Sequence, residues 1–278
     1  MREVAGRSKN IAFRRLGLMI IFLIFSIAGM AQKSAHQIGL QLGLQHYATS
    51  EPILSPLHYQ GIYLFWQPSY TYRGNRHYHR FQVARARSEL TSSITSSGEF
   101  GKQHYVDLLG WQLQYVYLRK AKEWSKSILW IGGMLDATYF DKEIFFIYDW
   151  DGRTADAFIA PALALAATTQ LREHHSLRGQ FSIAPLAYVA ARTYALNRPP
   201  LALLDKELTV RNAIQYGDWL MLPNFVNHRG ELTYRYSLGR YWVLGLTYDF
   251  QYYQYDKLKP FNVRAVTNTL LVGVTFNL

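Results

Sequence analysis

Cysteine is missing from all 278 residues of the chain. Disulfides, thiolate metal sites and a lipid anchor on cysteine are thereby excluded. Long apolar runs are missing too. Beyond residue 28 no stretch approaches the roughly 20 residues that cross a bilayer as a helix. Mean hydropathy is -0.11, too polar for a bundle of membrane helices. Acidic residues are scarce, with 19 Asp and Glu against 30 Lys and Arg and a formal charge of +11. Neither an internal repeat nor a low-complexity linker appears, which points to one folded domain. Aromatics are plentiful instead: 21 Tyr, 15 Phe and 7 Trp.

The two ends of the chain carry the strongest signals. Arg2, Arg7, Lys9, Arg14 and Arg15 precede an apolar run, Leu16 to Ala28, and then small residues at Gly29 and Ala31. This is the layout of a secretory signal peptide cleaved after Ala31, dividing the chain into 1–31 and 32–278. A retained helical anchor is the alternative, but the run is short for a span. At the other end, Leu270, Val272, Val274, Phe276 and Leu278 share one face of an extended strand. Leu271, Gly273, Thr275 and Asn277 share the other. A greasy face and a small or polar face, with an aromatic near the end, suit the closing strand of a membrane barrel. The ending resembles the C-terminal strand of small outer-membrane β-barrel proteins of Gram-negative bacteria. The resemblance implies an all-β, antiparallel up-and-down transmembrane barrel in the cell outer membrane. It also implies outer-membrane lipids and the barrel assembly machinery as partners.

Period-two alternation predicts about ten strands. They lie near 36–49, 58–72, 77–90, 103–119, 126–141, 156–171, 176–193, 225–237, 240–255 and the ending. The first is the cleanest, with Ile38, Leu40, Leu42 and Leu44 against Gly and Gln. In the second, the facing of Ile62, Leu64 and Trp66 against Tyr63 and Phe65 is ambiguous. In the third, Phe81 and Val83 share parity with Arg85 and Arg87, which calls for a bulge or an early end of the lipid zone. The sixth sets Ile159, Leu163 and Leu165 against a row of alanines. Short connections (73–77, 120–125, 172–175, 238–240) alternate with longer ones (50–57, 89–102, 142–155, 194–224, 256–263), as periplasmic turns alternate with external loops. Tyr70, Tyr72, Tyr78, Tyr115, Tyr117, Tyr236, Trp242 and Phe276 fall near the short-turn end. Tyr47, Tyr139, Tyr194, Tyr252 and Tyr253 fall near the long-loop end, where rings suit the headgroup layers. A soluble barrel of the lipocalin kind has the same period, but Leu and Tyr on one face would overfill a small lumen.

Ten strands make a narrow tube, since wide water channels need about 16. The expected lumen is a polar plug with Asp107, Asp136, Arg178, Arg229, Glu231, Arg235 and Asp249 as its charged members. A three-residue hairpin at Leu238-Gly239-Arg240 would pair Ser237 with Tyr241 and set Arg229 opposite Asp249. Mutual satisfaction of these charges is the simpler reading beside a binding or conducting role. Function is then expected in the external loops. Candidates there are Asp149, Asp151 and Arg198, the last in a long segment with Pro199-Pro200. A narrow channel for small solutes is the alternative. An outer-membrane lipid hydrolase or protease is a further one.

Catalytic chemistry is weakly represented. Ten-stranded proteases of this membrane use an Asp pair opposite an Asp–His pair. Asp149 and Asp151 offer the first, but no Asp-x-His follows, so the balance is against an enzyme. His174-His175-Ser176 has the residue types of a lipase site at the wrong end. His77-x-His79 supplies two metal ligands and no third. No metal or other cofactor is implied, and nucleic acid is no partner for an exported basic chain. Arg73, Arg76, Arg80, Arg119, Lys120, Lys122, Lys126, Arg172, Arg178 and Arg240 form a basic rim around the short turns. Anionic headgroups, a periplasmic protein or a cell-wall polymer suit such a rim.

Overall fold

The computed structural model describes residues 35–50, 58–95, 103–145, 151–194, 217–256 and 262–278. The expected signal segment 1–31 lies outside them. The strands are β1 (Ala35–Ser50), β2 (His58–Arg73), β3 (His77–Thr95), β4 (Gln103–Glu123), β5 (Ser127–Phe145) and β6 (Asp151–Arg172). They continue with β7 (His175–Ala184), β8 (Leu186–Tyr194), β9 (Asp218–Met221), β10 (Phe225–Leu238), β11 (Trp242–Asp256) and β12 (Asn262–Asn277). Each pairs antiparallel with its neighbour, and β12 returns to β1. β6 pairs with both β7 and β8, two halves of one stave, and β9 adds a short rung on β8. Ten staves therefore close an up-and-down barrel.

Closure is staggered. The pairing that leaves His36 runs through Tyr72, His79, Tyr117, Gly133, Leu163, Ile183, His228, Tyr252 and Val266 and rejoins β1 at Ala48. A displacement from residue 36 to residue 48 around ten staves goes with strands tilted by about 35–45°. The β1–β12 seam is tight. A Cβ on Gly43 would collide with the Leu270 carbonyl oxygen, so only glycine lets the two backbones meet there.

Alternation sorts the side chains. Leu40, Leu42 and Leu44 of β1, Ile62 and Leu64 of β2, Leu163 of β6, Leu246 of β11 and Val272 of β12 face outward and are exposed. They form the apolar belt that lipid covers. Ile62, Leu64 and Trp66 point out while Tyr63 and Phe65 point in, which resolves β2. On β3 no bulge intervenes between Phe81 and Arg87. All four residues of that row stay outward, so on this wall the lipid zone ends early. Of the aromatics expected in the headgroup layers, Tyr47, Tyr78 and Tyr253 point inward instead and are buried.

Three expectations are corrected. The β10–β11 hairpin closes at Leu238 and Trp242 around Gly239-Arg240-Tyr241, with Gly239 at φ 68°. Ser237 therefore pairs with Val243, two residues from the expected register. Tyr241 and Trp242 then both pack on Phe276, with ring centres 5.9 and 4.9 Å away. A shift of two leaves every side chain on its expected face. The stave at 176–193 is not continuous: Pro185 lacks the N–H that the ladder needs, and the pairing with β6 slips by one residue across it. Much of the expected loop at 142–155 is strand, because β5 and β6 pair out to Phe145 and Asp151.

Two outcomes test this layout. In single-tryptophan variants, lipids brominated on their acyl chains should quench Trp66 and Trp111 and leave Trp130, buried in the lumen, bright. Gly43→Ala should destabilise the folded barrel by on the order of 1–3 kcal/mol in urea titrations from lipid vesicles, as overpacking does.

Candidate functional site

The distinctive chemistry of the described residues lies inside the tube. β6 turns Ala160, Ala162, Ala164 and Ala166 inward, all buried. Small side chains on this wall leave room for long ones from the others: Trp130 and Met134 are the ladder partners of Ala166 and Ala162. The alanine row is thus a spacing device rather than a helix signal.

Near the short-turn end, Arg178 of β7 reaches the far wall. Its guanidinium carbon lies 3.9 Å from the centre of the Tyr78 ring. It donates to Gln180 Oε1 at 3.1 Å. Trp130 packs against the same tyrosine at 6.1 Å between ring centres. Further in, Arg80 of β3 spans the lumen and donates from both terminal nitrogens to Glu231 of β10, at 2.6 and 2.7 Å. Glu231 also accepts from Thr233 Oγ1 at 3.2 Å. Arg229 grips Asp249 through two nitrogens, Nε to Oδ1 being 2.8 Å. Two-pronged arginine–carboxylate pairs resist rotation, and burial removes the water that would compete with them.

Asp136 is held differently. It is fully buried, and its oxygens accept from four neutral donors. Gln112 Nε2 (3.2 Å) and Thr138 Oγ1 (3.3 Å) serve one oxygen; Asn227 Nδ2 (3.1 Å) and Gln251 Nε2 (3.0 Å) serve the other. Gln251 is shared with Gln112 and Asn227, so one amide net ties β4, β5, β10 and β11 together.

Toward the long-loop end the filling becomes aromatic. Tyr47, Phe140, Phe158, Phe225 and Tyr253 are buried together, with ring centres 5.2 to 6.1 Å apart. The Tyr47 and Tyr253 hydroxyls share a hydrogen bond of 2.9 Å. Beyond them Lys142 and Asp156 form a buried ion pair at 2.9 Å. Polar networks below and stacked rings above fill the tube from wall to wall.

Of the expected lumen charges, Asp136, Arg178, Arg229, Glu231 and Asp249 come together in this filling. Arg235 stands half-buried at its short-turn mouth. Asp107 does not join them. It shares parity with Leu109 and Trp111, faces outward, and pairs across the ladder with Glu143. Arg229 and Asp249 meet diagonally, since the register sets Glu231 opposite Asp249. Asp149 and Arg198 lie outside the described residues. Asp151 opens β6 opposite Phe145. His77 and His79 bond Tyr117 and Tyr115 through Nδ1 at 3.0 and 2.8 Å, and His36 bonds Tyr70 in the same way at 2.7 Å. Sequence reading set Arg80 on the basic rim of the short turns; it is buried in the lumen instead, and its parity opposite Phe81 and Val83 was a usable sign. It also missed Lys142, which the expected loop absorbed, Asp156 at the start of the expected sixth strand, and the inward aromatic layer.

Arg80→Ala strands Glu231 without its counter-charge. It should cost about 3–5 kcal/mol of folding free energy. The double replacement Arg80→Met with Glu231→Leu should cost clearly less, and a double-mutant cycle by urea titration measures the difference.

No protein-family model matches the chain, and no curated protein sequence matches it. Solved structures do. The outer membrane protease OmpT from Escherichia coli superposes with a TM-score of 0.53 at 6% identity, over 88% of this chain and 97% of that one. The translocator domain of the autotransporter NalP from Neisseria meningitidis gives 0.49 at 9% identity, over 99% and 97%. Ail, the attachment invasion locus protein of Yersinia pestis, gives 0.36 at 10%, over 87% and 99%. The likeness to OmpT is one of fold; the other two superpose too loosely to add to it. With the closed sheet and the apolar belt, it identifies the fold as an outer-membrane β-barrel and locates the chain in the outer membrane.

Proposed function

We propose that this barrel is a plugged scaffold whose binding surface is its long-loop end, and not a pore. The observation that carries the reading is the set of bonds that bridge the lumen, Arg80 to Glu231 and the amide net around Asp136. A solute would have to break buried charge-assisted bonds and then part a layer of stacked rings.

The strand lengths support the second half of the proposal. β3, β4, β5 and β6 have 19, 21, 19 and 22 residues. A tilted strand needs about 9–11 to cross the hydrocarbon. The surplus lies toward the long loops and carries Arg87, Asp107 and Glu143 on its outer face. It raises a rigid wall beyond the lipid, the kind of platform on which loops recognise partners. At the opposite end the basic rim faces the anionic headgroups of the inner leaflet, a contact that anchors the barrel in depth.

Planar-bilayer recording tests the plug. The purified barrel should show no discrete conductance steps. Arg80→Ala combined with Arg229→Ala and Glu231→Ala should produce small ones. Steps of uniform size from the unaltered protein would replace this reading with a narrow solute channel.

A further inference from the structure

On the outside of the barrel, the wall of β3, β4 and β5 leaves the hydrocarbon early. Arg85 of β3 pairs across the ladder with Trp66 of β2 and Trp111 of β4, and Trp111 pairs with Tyr139 of β5. A row of such rings marks the headgroup layer, so Arg85 stands where the acyl chains end. Its guanidinium carbon lies 5.2 Å from the centre of the Trp111 ring. Arg87 follows on the same face, and both arginines are exposed. One pleat beyond Arg87, about 7 Å along the strand, Glu89, Asp107 and Glu143 oppose one another on β3, β4 and β5, all exposed. Arg85, Arg87, Asp107, Leu109, Asp141 and Glu143 line an outward-facing cleft of about 200 Å³.

Opposite charges share this cleft without neutralising each other. Arg87 and Asp107 are diagonal neighbours on adjacent strands. Yet Arg85, Arg87, Asp107 and Glu143 enter no ion pair among the described residues. Carboxylates set directly opposite one another repel. The charge is layered, positive where the acyl chains end and negative further out. Its complement has a negative group next to the hydrocarbon and a positive group just beyond. Lipid already borders the cleft, because Phe81 and Val83 continue the same face down into the apolar belt.

We propose that this cleft holds the headgroup of a zwitterionic phospholipid with a primary ammonium, of the phosphoethanolamine class. Arg85 and Arg87 take the phosphate oxygens, which suit the guanidinium fork. Asp107 and Glu143 accept from the ammonium N–H groups above. A choline headgroup carries the same charges but has no N–H to donate. A glycerol headgroup brings phosphate and no cation, and leaves the carboxylates unmatched. The site goes beyond the plugged-scaffold reading and does not rest on it, since neither the lumen nor the loops take part.

Lipid-selective quenching of Trp111 tests the proposal. A variant with Trp111 as its sole tryptophan is folded into phosphatidylcholine vesicles. These contain a minor fraction of acyl-brominated phosphatidylethanolamine, phosphatidylglycerol or phosphatidylcholine. The ethanolamine lipid should quench Trp111 as though enriched several-fold over the bulk, and the other two should follow the bulk. A variant with Trp242 as sole tryptophan, at the short-turn end, should show no ethanolamine preference. Arg85→Gln with Arg87→Gln should abolish the enrichment. Asp107→Asn with Glu143→Gln should reduce it and raise quenching by the glycerol lipid. Heat-shifted gel mobility confirms folding of each variant, and all four substitutions lie on the exposed outer wall. Equal quenching by the ethanolamine and choline lipids overturns the proposal. So does equal enrichment of the glycerol lipid, which the arginines alone would produce. Enrichment that survives the paired arginine replacement overturns it as well.

Discussion

A sheet in lipid has no water to satisfy its edge, so every backbone donor and acceptor must find a partner within the molecule. In this chain that requirement is met at one seam, where β12 pairs with β1 from Gln37–Asn277 to Ser50–Arg264. Gly43 lets the seam close without a clash. Once it is closed, the stagger from His36 to Ala48 sets the tilt of all ten staves. Strand parity then sets which residues meet lipid. The outward leucines and the inward arginines are consequences of the same closure.

Closure at ten staves creates a tube that side chains from opposite walls can bridge. What would be surface charge on an open sheet becomes buried charge in a lumen, where an unpaired group is costly. The chain answers with three solutions. Arg80–Glu231 and Arg229–Asp249 neutralise each other in two-pronged pairs. Asp136 is wrapped by amides and a hydroxyl. Near the long loops, rings exclude the problem by stacking. The alanines of β6 make room for all three. Arg178 departs from this economy: its guanidinium lies on the Tyr78 ring and donates to one amide oxygen of Gln180.

Much of the fold was legible in the alternation of residues. Leu40 to Leu44, Leu244 to Phe250 and Leu270 to Leu278 announce outward faces without any tertiary information. The facing of Arg229, Glu231 and Asp249 followed from parity, and it survived a hairpin register misplaced by two. Asp107 was misjudged although its parity with Leu109 and Trp111 argued for the outer wall. Charge was read as a sign of the lumen, whereas β4 at that height has already left the lipid. Arg80 was placed on the rim and not in the lumen because β3 mixes Phe81 and Val83 with Arg85 and Arg87 on one face. That mixture makes sense only when the height of the lipid boundary on each stave is known.

By itself, the sequence determined that the chain forms a ring of amphipathic strands, which face each residue takes, and at which end the turns are short. Those properties depend on residues two apart on one strand, and the period of two is printed in the chain. Only the tertiary structure decided which charges meet. Arg80 and Glu231 are 151 positions apart, and Asp136 draws partners from staves on both sides of the lumen. Such contacts depend on the stagger and on the width of the closed tube. Those are sums over all ten pairings, and no local stretch of residues encodes them.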